Sequence, residues 1–301
     1  MVKKKKNNKI KESMSGRIYS IYNGILLTGI ALLMLYPMLN VLAVSLSDYY
    51  EYLKTPWMII PKEATFEGYQ YVLDFRGFWR GYVNTIIIVI GGTVWGLLVT
   101  ILTAYPLSRP QLKGKTFFMA LVIFTMVFSA GMIPCYLNIK SLGLLNTFWA
   151  LFIPSAFSAF NCILMLNFFK EIPVDLIEAA QIDGGTEPYI LFKIVVPLSR
   201  AVIASITLFL AVGYWNGYFD AQIYLKDREL WPLALILKEM LLAASMALAE
   251  AEKDPMAAQM DVATTTIQYA SIIVSTLPII CVYPFLQKYF AKGVMVGGVK
   301  G

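Results

Sequence analysis

Tyr214, Trp215 and Asn216 close an apolar run that begins near residue 198. An amide that hydrogen-bonds beside aromatic faces that stack is the chemistry that holds a hydroxyl-rich solute. Asn84, Asn161 and Asn167 also fall within apolar runs, the last at the end of its run where it can meet water. Polar side chains in such runs are costly, so each asks for a reason. One reason is a solute path; the other is hydrogen bonding that only holds helices together.

Catalysis has little to work with. The chain has no histidine, so the usual proton-shuttling base and commonest metal ligand are missing. Its carboxylates lie mostly in loops, and no nucleophile–base pair is visible. Cys135, Cys162 and Cys281 are far apart with no CxxC spacing, so they are expected to be small buried hydrophobes and not metal ligands or a disulfide framework. Gly114-Lys115-Thr116 ends like a phosphate-binding loop, but that loop needs a glycine where Arg109 stands. The chain is therefore not expected to be an enzyme, to hold a metal or to bind ATP itself.

The elements that must carry these residues follow from composition. Of 301 residues, 58% are hydrophobic and only 15% charged, against about a quarter charged in a soluble domain. Runs of membrane length occur at about 18–46, 82–108, 117–137, 147–168, 198–219 and 264–288. Helices are the only open-chain solution at that depth, because every backbone amide must be satisfied without water. The expected fold is an all-α membrane protein of six transmembrane helices, with a permease domain over 18–288. The first run is too long for a signal-peptide core and is expected to stay as an uncleaved helix, despite a weak cleavage-like match at Ala43-Val44-Ser45. Residues 231–251 are also apolar, yet Lys238 and Glu239 sit near the middle. A central charge costs roughly 2.5–3.5 kcal/mol, so that segment is expected outside the bilayer or at its surface. Gly92-x-x-x-Gly96 is a close-packing pattern in the second run.

Counting lysine and arginine orients the chain. With the basic N-terminus (1–17) inside, the inner segments hold 16 and the longer outer segments nine. That places both termini in the cytoplasm, together with the loop 169–197 and the glycine-rich tail 289–301. The loop 220–263 then lies outside. The inner loop has its own helical grammar. Pro173 suits a helix start, Asp175 and Glu178 favour the positive end of the helix dipole, and Gly184-Gly185 is a stop. A short helix of about three turns is predicted there. Ala179 and Ala180 give it a face that another protein can approach closely, or that rests on the membrane surface.

Glu178-Ala179-Ala180, then Gly184, then Ile194-x-Val196-Pro197 resembles the EAA signature of binding-protein-dependent ABC importer permeases. Val196 stands where the family usually has leucine. The likeness runs along nearly the whole chain and favours the carbohydrate, MalG-like branch, closest to permeases for oligosaccharides from complex polysaccharides. Supporting stretches are Leu35-Tyr36-Pro37, Asn84-Thr85, Ala104-Tyr105-Pro106-Leu107-Ser108-Arg109, Trp215-Asn216 and Tyr283-Pro284-Phe285. The resemblance implies ATPase coupling through Glu178, Ala179, Ala180, Gly184 and Pro197. It implies a second permease subunit in a heterodimer, two ATPase subunits that hold ATP and magnesium, an extracytoplasmic solute-binding protein, and a sugar as cargo. The alternatives are a permease of the same architecture for a non-sugar solute, an ATP-independent secondary transporter, and a membrane scaffold.

Overall fold

A computed structural model describes residues 14–251 and 266–281. Residues 1–13, 252–265 and 282–301, which include most of the basic N-terminus, the first two and last seven residues of the expected sixth span and the tail 289–301, lie outside the described residues. The described secondary structure is helical apart from one isolated bridge, Ser47 to Ala64.

Helix α1 (Met14–Ser45) is 32 residues long, about 48 Å at 1.5 Å per residue. It is buried only at Ala43, Val44 and Ser45. Side chains pin its C-terminal end: Asn40 Nδ2 donates to the carbonyls of Pro56 and Met58 at 2.9 and 2.8 Å, and Tyr36 Oη donates to that of Trp57. Short helices α2 (Tyr49–Lys54) and α3 (Glu67–Asp74) lead to α4 (Arg76–Ser108), the axis of the bundle. Helix α4 packs against α8 (Ala159–Lys170) and α12 (Arg200–Asn216), and more lightly against α7 (Trp149–Ser155) and α14 (Leu233–Ala251). The Gly92/Gly96 pattern does pack closely. A Cβ on Gly92 would lie 2.4 Å from the Tyr214 ring, and one on Gly96 would lie 3.3 Å from Leu210.

Two helices, α1 and α4, are each long and apolar enough to cross a membrane. The expected span at 117–137 is not one rod. Helix α5 (Lys115–Val127) ends and α6 (Met132–Ser141) leaves at 116°, where Gly131 takes a φ of +82°. The span expected at 147–168 breaks between α7 and α8 by 56°, just after Pro154, and Ser158 Oγ caps the restart. Proline inside a helix removes a hydrogen bond and clashes with the preceding turn. The expected fifth span is α12, and it meets the segment Glu187–Leu198 at 84°. An apolar helix, Thr266–Cys281, occupies the described part of the sixth.

Two packed regions organise the bundle. One joins Ile101, Ala104, Cys162, Met165, Leu166, Val202 and Ile206, and extends to Ile177, Ile190 and Leu191 of the inner loop. The other joins Ile88, Phe152, Ala221 and Tyr224 near the outer loop. Cys162 is buried as expected, but Cys135 and Cys281 are exposed, on helix faces outside these clusters. Helix α14 rests on the first turns of α4: Leu233 is buried, and a Cβ on Gly81 would lie 2.4 Å from Ile236 Cδ1. The two charges near its middle have partners, Lys238 with Gln222 and the Tyr218 ring, and Glu239 with Arg228.

Candidate functional site

The loop 169–197, expected on the inner side, forms α9 (Val174–Ile182), slightly shorter than the sequence predicts. Pro173 holds the cap position with φ −54° and ψ 128°, and Asp175 stands in the first turn, favoured by the helix dipole. The C-terminus closes with two backbone bonds. Gly185 N–H donates to Ala180 O at 2.8 Å, and Gly184 N–H to Gln181 O at 3.0 Å. This is the Schellman arrangement, and it needs a residue at positive φ, here Gly184 at +80°. Gly185 is small for another reason: a Cβ there would lie 2.7 Å from Ala180 O.

One face of α9 holds the protein and the other is open. Ile177 is buried and Ala180 half-buried against the inner cluster. Glu178, Ala179 and Gly184 are exposed, and Ile182 is 86% exposed. A fully exposed isoleucine beside an alanine and a carboxylate is a surface ready to be covered.

After the glycines the chain runs through α10 (Glu187–Ile190), a π turn (Leu191–Val195) and α11 (Val196–Leu198). The π turn precedes Pro197, which has no N–H to give. The wider winding lets Val196 N–H reach Leu191 O instead. Pro197 is half-buried and lies two residues before the bend at Ser199.

The sequence did not single out Glu187, which ties this loop to α4. Tyr105 Oη donates to Glu187 Oε2 at 2.5 Å, and Gln181 Nε2 donates to Oε1 at 3.1 Å. The Arg109 guanidinium, mostly buried and lying over the Tyr105 ring, stands 3.5 Å away. The Tyr105 hydroxyl, then Arg109 and Gln181, hold the Glu187 carboxyl below its usual range.

The solute-path candidates do not gather at one point. Asn84 is buried, and its amide donates to Glu229 O at 2.7 Å and Trp231 O at 3.1 Å, fastening the outer loop to α4. Asn161 is buried in the first turn of α8, and Asn167 is exposed at the other end. Trp215 stands edge-on to Tyr82, and Asn216 folds its amide back to Val212 O. Tyr214 lies over Gly92, edge-on to Phe152, and its enclosed hydroxyl has no hydrogen-bond partner among the described residues. Tyr214 also borders a cavity of about 270 Å³ with Ser155, Gly213, Gly217 and Asp220. Desolvation raises the Asp220 carboxyl above its ordinary range. Asp220 follows the apolar run by only a few residues, and the short helix α13 (Phe219–Tyr224) turns it back to the cavity.

Comparison with known proteins agrees with this architecture. A solved chain from a bacterial ABC transporter involved in import of the acidic polysaccharide alginate superposes with a TM-score of 0.84, at 36% identity, covering 94% of this chain and 100% of that one. Protein LplC of Bacillus subtilis is 40% identical over 95% of this chain and 96% of its own length. The polygalacturonan/rhamnogalacturonan transport system permease protein YtcP of Bacillus subtilis is 39% identical over 96% and 100%. Residues 96–296, which include α9 and most of the bundle, match the binding-protein-dependent transport system inner membrane component. This chain therefore belongs to the family of binding-protein-dependent transport system inner membrane components.

Proposed function

We propose that this chain is one of two permease subunits of an ATP-driven importer that carries oligosaccharides across the bacterial cytoplasmic membrane. The observation that carries the reading is the open face of α9, with Glu178, Ala179 and Ile182 exposed while Ile177 anchors the opposite side. A rigid helix held to the bundle on one face and bare on the other is built to receive force from a partner. Two ATPase subunits, holding ATP and magnesium, would supply it in the cytoplasm. A solute-binding protein would deliver cargo to the outer face, where α13 and α14 pack. The excess of lysine and arginine on the inner segments supports cytoplasmic termini. Relatives named for polygalacturonan and rhamnogalacturonan, and a structural neighbour from an alginate importer, support saccharide cargo.

In this reading the ATPase pair makes different contacts with α9 in its open and closed states. That difference is the only way it can bias the membrane conformation. The bias passes through Glu187–Leu198 into α12, which borders the Tyr214 cavity. The test is a tagged pull-down from gently solubilised membranes, followed by uptake in vesicles. A second polytopic permease, an ATPase in two copies and ATP-dependent saccharide uptake are expected. Recovery of this chain alone, or uptake that survives ATP depletion, overturns the proposal.

A further inference from the structure

We infer that Glu187 is a positioning residue for transport: it locks the docking helix α9 to the inner end of α4, so that the two move as one body. The inference rests on the importer reading above and adds a residue outside the EAA signature.

Three elements meet at this carboxylate. Its own backbone begins α10, its Oε1 accepts from Gln181 of α9, and its Oε2 accepts from Tyr105 of α4. Arg109, which caps the C-terminus of α4, faces the same oxygens at 3.5 Å. Among the described residues, Gln181 makes the only side-chain hydrogen bond between α9 and another element. The remaining hold on α9 is apolar, through Ile177 and Ala180. Apolar contacts resist separation but have no direction. Hydrogen bonds to a carboxylate fix orientation and are stronger than neutral ones. Without Glu187, α9 stays attached and is free to roll about Ile177. Tyr105, Arg109, Gln181 and Glu187 stand along an open groove of about 680 Å³, which leaves room for that roll.

Tyr105 supplies the other half of the lock. Its ring is buried and edge-on to Phe169 of α8, so the hydroxyl has a fixed position. The bond from Tyr105 therefore registers α10 against both α4 and α8.

The experiment uses the complete importer in proteoliposomes and reads saccharide transported per ATP hydrolysed. Glu187→Ala is expected to lower that ratio about tenfold, within the range of measured coupling between sites. The amount of ATPase subunit that co-purifies should stay within about twofold of wild type. Tyr105→Phe should lower the ratio by a smaller factor and add nothing when combined with Glu187→Ala. Glu187→Gln, which keeps the shape and one acceptor oxygen, should recover part of it. A role in folding alone would reduce assembled complex and both rates together and leave the ratio unchanged; that result overturns the inference. Additive effects of Tyr105→Phe and Glu187→Ala also overturn it. Failure of the wild-type complex to import any saccharide would instead strike the function proposed above, so the two failures are distinct.

Discussion

Substitution at Gly184 separates two explanations for a glycine in the proposed docking loop. One is backbone conformation, since φ is +80°. The other is close approach by a partner, since a Cβ there meets nothing within 4 Å and the space is open. An L-residue with a Cβ pays about 1–2 kcal/mol in the left-handed region. That lowers the population of the correctly wound loop by a factor of about 5–30. Asparagine tolerates the region better than alanine, and a β-branched residue tolerates it worst. If conformation is the reason, saccharide transported per ATP should fall in the order glycine, asparagine, alanine, valine. Gly184→Asn should lie within about threefold of wild type, and Gly184→Val should lose most coupling. The assay is uptake and phosphate release in the same proteoliposomes, with co-purified ATPase measured alongside. If Gly184→Asn is as damaging as Gly184→Val while Gly184→Ala is tolerated, side-chain size decides and the backbone argument is refuted.

Other outcomes follow from the same geometry. Gly185→Ala should be more disruptive than Gly184→Ala, because its Cβ lies 2.7 Å from Ala180 O and displaces the bond that closes the helix; protease cleavage of the loop reads this directly. Asn84→Leu removes two donors from the carbonyls of Glu229 and Trp231 and should cost about 1–3 kcal/mol, seen as a lower melting temperature with the saccharide KM unchanged; a raised KM would make Asn84 a solute contact. Tyr214→Phe deletes an enclosed hydroxyl with no partner among the described residues and should raise stability by about 1 kcal/mol; loss of transport without loss of stability would show that the hydroxyl serves the solute. The Glu187 lock has a definite pH sign. Its carboxyl is held below the ordinary range, so the contribution is present above the unfolded-state value and is lost only as pH falls through its own lower one. Hydrogen exchange of residues 183–198 should differ between wild type and Glu187→Gln down to about pH 4.3, the ordinary glutamate value; a difference that vanishes already at higher pH would contradict an ionised lock.

The EAA helix was legible because its determinants are local. Pro173, Asp175 and Gly184 each act within one or two turns, so their spacing alone specifies α9. The apolar runs were legible for the same reason, since length and hydropathy are summed along the chain. What escaped was three-dimensional. The bends at Gly131 and after Pro154 hide inside runs that remain apolar, because hydropathy does not register a change of direction. Glu187 lies 78 residues from Arg109 and 82 from Tyr105, and nothing in its neighbourhood announces them. The stretch from Ala104 to Arg109 was a visible signal without a visible partner. Among the polar residues in spans, hydropathy marked Asn84 and Tyr214 equally. Only packing separates an amide with two carbonyl partners from a hydroxyl with none.

The 84° junction at Ser199 has a mechanical consequence. Sliding Glu187–Leu198 along its own axis has almost no component along α12. Under the importer function proposed above, the junction acts as a crank and not a piston: a stroke across the axis of α12 becomes a swing of α12 about its Ser199 end. Displacement in a swing grows with distance from the pivot. In that proposal the largest excursion falls at the far end of α12, where Tyr214, Trp215 and Asn216 stand, and the smallest at Ser199.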